Sequence, residues 1–200
     1  MAVSEVSICN QALGWLGEKP IISFDDASAA AQLCKNNYDL LRDAVQETRD
    51  WAFCMVRFKP APLATPPAWG YSYQFQIPAG VFRLIFVGEN DDSNESQPVD
   101  GWQREGDKIV ANVNTIYVRA VGRVEDTAKF PPLFVQALAA RIAADLAMPI
   151  TNSRSLQSDM FKLFGTKLTE ASNSDAVQGR TRIIKSRDLS VTARLSNRAA

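Results

Sequence analysis

Histidine is missing from all 200 residues of the chain. That removes the commonest general base near neutral pH and the commonest nitrogen ligand for metals, and with them Ser-His-Asp, Cys-His and most zinc schemes. Cysteine is scarce too. Cys9, Cys34 and Cys54 are odd in number, widely spaced and set among apolar neighbours, which fits buried free thiols in reducing surroundings and no disulfide framework or CxxC site. Net charge is also lacking, since 22 basic residues balance 22 acidic ones, so no overall field draws the chain to nucleic acid or to an acidic membrane. The longest apolar stretch, 134–150, is interrupted by Gln136, Arg141 and Asp145, and Glu5 stands where a leader would carry basic residues. Neither membrane spanning nor secretion is expected. No nucleotide-binding glycine loop is present: Gly14 and Gly17 belong to the first helical segment and its end.

What the chain does have is apolar content, 46% of its residues, enough to bury a core without staples. Ser4 is placed to cap a helix with a stripe of Val6, Cys9, Leu13 and Leu16, ended by Gly17 and closed off by Pro20. A second helix is expected to open near Asp25 or Asp26 and run to about Arg49, with Ala30, Leu33, Cys34, Tyr38, Leu41 and Val45 on one face.

The period then changes. WAFCMVRF reads as a strand, PAPLATPP as a loop, and Trp69, Tyr71, Tyr73 and Phe75 as alternating positions on one face. VFRLIFVG is a further strand, ENDDSNESQPVDG a polar loop, WQREGDKIVAN a hairpin turning near Glu105 and Gly106, and TIYVRAVGRV another strand. Together they make a β region of roughly five strands.

Helical spacing returns after Pro131 with Phe134, Leu138, Ile142 and Leu146, backed by Ala137, Ala140, Ala144 and Ala147, and Pro149 is expected to close this helix. A fourth helix, capped by Thr151 or Ser153, shows Leu156, Met160, Leu163, Phe164, Leu168 and Ala171 on one face and ends before Gly179. The resulting fold class is α+β: a four-helix bundle-like α domain (1–50 and 131–178), an inserted antiparallel β lobe (51–130), and an extended basic C-terminal arm (179–200).

The arm departs from the rest in charge. Arg180, Arg182, Lys185, Arg187, Arg194 and Arg198 face only Asp188, so this stretch carries +5 and the remainder −5. Such an arm can bind phosphates, remain a solvated terminus, or dock on a partner. Leu189, Val191, Ala193 and Leu195 alternate with polar residues, the pattern of a strand that adds to the edge of another subunit's sheet.

Two other constellations favour plain readings. The stripe of Trp69, Tyr71 and Tyr73 lacks any Lys or Arg between Pro60 and Phe82 to hold a phosphate backbone, so core or subunit-interface packing is expected before base stacking. Glu89, Asp91, Asp92, Glu95 and Asp100 lack the spacing of a calcium loop and read as a solvated acidic loop. Asp91 and Asp92 as hydrolytic carboxylates are the least favoured reading, with no recognisable site around them. The residues designate no catalytic group, metal site or cofactor.

Taken in order, CNQALGWLG, the helix over 25–42 with its Tyr38-Asp39 and Arg42-Asp43 pairs, WAFCMVRF, WGYSYQFQIP, GRVEDTAKFPPLFVQALAARIAADLA and ITNS resemble the tail tubular protein A, or head-to-tail adaptor, of short-tailed phages. The resemblance covers about residues 6–177. It implies a structural subunit of a dodecameric ring that joins the portal to the tail nozzle and lines the DNA exit channel. It also implies residence in the tail or neck of a virion assembled in the host cytoplasm, with no catalytic residue, cofactor or small-molecule substrate. Genomic DNA would pass without sequence-specific binding. The alternative is a nucleic-acid-binding assembly module acting through the basic arm. The arm itself supplies the candidate docking residues Arg180, Arg182, Lys185, Arg187, Leu189, Val191 and Leu195.

Val191→Asp and Leu195→Asp are expected to weaken docking to a portal partner while the body stays folded, because apolar burial would hold a strand-like arm. Co-sedimentation checks the docking and circular dichroism checks the fold; unchanged docking would reduce the arm to an electrostatic tether or a bystander.

Overall fold

The computed structural model describes residues 3–91, 95 and 97–178. Its architecture is α+β, with four α-helices and two small antiparallel sheets. Helix α1 (Glu5–Trp15) opens on a reciprocal cap in which the Ser4 and Ser7 hydroxyls each accept the other residue's backbone N–H. It ends where Gly17 takes φ +77°, a conformation that favours glycine. Helix α2 (Ala29–Glu47) starts later than its acidic prelude suggests. Its cap is Ser28, whose hydroxyl accepts the Ala31 N–H, whereas the Asp26 carboxylate folds back onto the N–H groups of Ile22 and Ser23. Capping and turn chemistry are the same chemistry for Asp, so the start is displaced by three residues.

The segment expected to run as one strand from Trp51 divides. A 3-10 turn, Ala52–Cys54, precedes strand β1 (Met55–Phe58). The turn swings Trp51 and Phe53 onto Phe134, with ring centroids 5.3 and 4.7 Å away, and Phe130 closes the group at 5.1 Å from Phe134. This burial outweighs the strand preference of the sequence. β2 (Tyr73–Gln76), β3 (Val81–Gly88), β4 (Gln103–Glu105), β5 (Lys108–Ala111) and β6 (Tyr117–Gly122) complete six strands. They form two three-stranded sheets, β1-β6-β3 and β2-β5-β4. Gly106 at φ +61° turns the β4–β5 hairpin at the expected place.

Helix α3 (Pro132–Thr151) is the centre of the helical part and touches α1, α2 and α4. Its alanines at 137, 139, 140, 143, 144 and 147 are fully buried and let its neighbours approach closely. By length and composition it could cross a membrane, but 61% of its most apolar window is buried inside this fold. Pro149 does not stop it. The helix runs on to Thr151 and ends at Asn152, φ +51°, whose N–H reaches the Met148 carbonyl while the Thr151 hydroxyl donates to that of Ala147. Helix α4 (Arg154–Gln178) follows at once, its first turn capped by Ser153, whose hydroxyl accepts the Leu156 N–H.

The β1-β6-β3 sheet is the middle layer. Val118 and Ala120 of β6 belong to a core shared with the β2-β5-β4 sheet through Phe75 and Ile109. Val121 instead joins the helical core, beside Met55, Phe82 and Ile85. Alternation along the strands therefore divides one sheet between two cores.

Gln46 joins the layers. Fully buried on α2, its amide donates to the Val124 carbonyl at 2.7 Å and accepts the Val124 N–H at 3.0 Å, satisfying backbone just past β6. Gln46→Leu keeps the volume and orphans both groups, so it is expected to cost about 2–3 kcal/mol. Urea unfolding measures this; a loss under about 0.5 kcal/mol would mean the backbone finds other partners.

Candidate interaction surfaces

Two surfaces stand out on the β part of the molecule. The first is the loop between β1 and β2. It is tied along β2 by the Leu63 N–H to the Gln74 carbonyl at 2.8 Å and by the Gln74 side chain to the Thr65 carbonyl at 2.6 Å. Beyond this tether Pro66 and Pro67 stiffen the chain, and Gly70 at φ +85° turns it back. Trp69, at the apex, is 87% exposed.

The aromatic stripe therefore does not lie on one strand face. β2 begins only at Tyr73. Tyr73 and Phe75 pack into the core between the sheets, Tyr71 is half-buried ahead of the strand, and Trp69 projects alone. The glycine turn breaks the alternation that the spacing implies. Of the three residues expected at an interface, Trp69 is the one presented to solvent.

The second surface is a cavity of about 330 Å³ on the helix-side face of the β1-β6-β3 sheet, beyond the reach of the helices. Strand register builds its floor. Arg57 of β1 lies opposite Arg119 of β6, and Phe86 of β3 lies on the other side of Arg119. Two arginines directly opposite repel each other unless a counter-charge intervenes. Glu95 supplies it. Its carboxylate accepts from Arg119 Nε and, at 3.0 Å, from Nη2, and the Glu95 side chain is only 5% exposed.

Seating that carboxylate requires a left-handed backbone, φ +53°, at a residue with a full side chain, a strain of order 1 kcal/mol. Glu95 is thus withdrawn from the solvated acidic loop expected from sequence, whereas Glu89, Asp91 and Asp100 are exposed. Lys59 completes the rim, donating to the Tyr117 hydroxyl at 3.0 Å. Arg57 has no ion-pair partner among the described residues.

The sequence reading missed this constellation. An arginine in the middle of each of two apolar strands, VRF and YVRAV, was the available signal, because such a charge needs a partner when its strand is packed.

The candidate arm residues Arg180, Arg182, Lys185, Arg187, Leu189, Val191 and Leu195 lie outside the described residues, as does Asp92. Among the described residues, no group of three Cys, Asp or Glu side chains gathers where a metal ion would need them. Burial, aided by the nearby Asp175 carboxylate, pushes the Cys54 thiol up to about 12, and the contact between the two other thiols raises Cys9 and lowers Cys34. No family model and no curated protein matches the chain.

Replacing Glu95 with Gln leaves the Arg119 charge half-buried without its counter-ion, and a loss of about 1–2 kcal/mol is expected after allowing for solvent screening. Arg119→Met together with Glu95→Leu is expected to recover most of it. Thermal unfolding of the two variants decides; equal losses in both would show that packing and not charge holds the loop.

Proposed function

We propose that this chain is a structural subunit of a head-to-tail adaptor ring that joins a phage portal to a tail nozzle. In this reading the helices act as one four-helix bundle-like body, the β lobe is inserted into it, and 179–200 is an extended arm reaching the next component. The homo-oligomeric ring surrounds the DNA exit channel in the neck of the virion, is assembled in the host cytoplasm, and carries out no catalysis.

The observation that carries the reading is the placement of exposed apolar side chains. Trp69 stands out on the β side at 87% exposure, while Ile22 and Leu40 stand out on the helical side at 91% and 71%. Patches of different composition on different layers suit head-to-tail contact, in which one subunit's surface meets another surface of its neighbour, as ring closure requires. Burying a tryptophan of that exposure returns on the order of 3 kcal/mol, enough to anchor a lateral contact. The resemblance of its sequence segments, taken in order, to tail tubular proteins points the same way.

Mass photometry of the chain mixed with a portal assembly is expected to show about twelve copies per complex. Trp69→Ala is expected to leave the unfolding midpoint unchanged and to weaken ring formation on the order of a hundredfold. A chain that stays monomeric with every portal tested would overturn the proposal.

A further inference from the structure

The cavity on the β1-β6-β3 sheet concentrates positive charge in a chain that has no net charge overall. Arg57 lies in β1 and Lys59 follows just past the strand, two residues on and so about 7 Å away along an extended chain. Arg119 stands directly opposite Arg57 on β6, where paired Cβ atoms approach to about 5 Å. Against these three cations the described lining sets two carboxylates, Asp91 and Glu95, which leaves one positive charge uncompensated.

The three cations are not equivalent. Arg119 is committed within the fold: its Nε and Nη2 donate to Glu95, and its Nη1 lies 3.8 Å from Met55 Sδ. Lys59 is held by Tyr117, its Nζ 4.7 Å from the ring centre and 3.0 Å from the hydroxyl. Arg57 makes neither an ion pair nor a side-chain hydrogen bond among the described residues, although Asp91 lines the same cavity. The excess charge therefore falls on a guanidinium, a planar fork of N–H donors that matches a carboxylate edge to edge.

The rest of the cavity is largely apolar, with Phe58, Phe86, Tyr117 and Val118 in its lining. Phe86 has a built place there: its ring lies across Gly88, where a Cβ would fall 2.4 Å from it. Apolar and aromatic walls with a few charged groups are the composition of a small-ligand site, and about 330 Å³ lies within the range of such sites. An arginine placed only to guard a sheet edge would need neither the aromatic wall nor a lysine fixed beside it.

We propose that this cavity binds a small organic carboxylate, with its carboxylate held by the Arg57 guanidinium, Lys59 adding charge beside it, and its apolar body against Phe86 and Tyr117. A monoanion matches the site, because one negative charge cancels the excess, whereas a second would go uncompensated beside Asp91. The Glu95–Arg119 pair supports the site from beneath by neutralising the cation nearest Arg57. This site stands apart from the adaptor reading and holds whether or not a ring forms.

Titrating the isotopically labelled full chain with benzoate, followed by amide chemical shifts, tests the proposal. Saturable shifts confined to β1, β6 and the end of β3 are expected, with a dissociation constant on the order of 1 mM at low salt. Benzamide, which has the same shape without the charge, is expected to bind at least about tenfold more weakly, and Arg57→Gln to weaken benzoate binding by at least about tenfold. Asp91→Asn removes an opposing charge and is expected to tighten it about two- to threefold. Both substituted positions are exposed, so the spectra of the variants should otherwise match the parent. Benzamide binding as tightly as benzoate, a constant unmoved by Arg57→Gln, or no saturable shifts at tens of millimolar benzoate would each overturn the site. Tighter binding of phenyl phosphate than of benzoate would overturn the assignment to a carboxylate.

Discussion

Everything in this molecule hangs on how the chain crosses twice between its helices and its sheets. It leaves the helices at 51–54 and returns at 130–134, and the rings of Trp51, Phe53, Phe130 and Phe134 pack these two crossings against each other. Trp51 adds a polar tie, its indole N–H donating to the Val45 carbonyl at 3.0 Å. Were this cluster loosened, the β1-β6-β3 sheet would still face both cores, but its seat against the helices would rest on Val121 and on the tie from Gln46 to Val124. The aromatic group therefore sets where the β1-β6-β3 sheet lies, and with it the position of every surface on the far side.

Polar anchoring follows one device used twice. Gln46 reads both backbone groups of Val124, and Asn10 on α1 does the same to Ile21 at 2.8 Å for both bonds. A side-chain amide offers one donor and one acceptor in the spacing of a peptide group, so it stands in for a strand neighbour where none exists. Both anchors pin connections that have no regular structure of their own. Around Gln46 the charged residues are arranged to be neutralised: buried Arg42 pairs with Asp39 and Asp43, and Asp43 also holds Arg123 from the end of β6. Such a network fixes orientation more than it adds stability.

Features decided within a few residues were legible from sequence. Ser4 and Gly17 bound the first helix, VFRLIFVG is strand β3 in full, and Gly106 turns the hairpin, because caps and turns depend on local chemistry. Where two local rules compete, or where a distant partner decides, sequence reading lost its grip. Asp26 and Ser28 both satisfy the rule for a helix start. The residues of the 3-10 turn left the strand to reach Phe134, some eighty positions away. The β region divided into two sheets because strand partners such as β1 and β6 are chosen across sixty residues, which alternation alone does not reveal. The candidate surfaces divide along the same line: Trp69 was identified by type, but Glu95 acquires its role only through Arg119, 24 residues later.

The attachment of α4 to Ala52 has a mechanical consequence. A helix of 25 residues is about 37 Å long, and it lies along α3 with its far end hooked to the backbone just ahead of β1. Tension applied beyond Gln178 would pull on that hook before it could peel the helix from its neighbour, and the load would pass directly into the middle sheet. Asp175 thus couples the C-terminal end of α4 to the stretch of backbone that leads into the middle sheet.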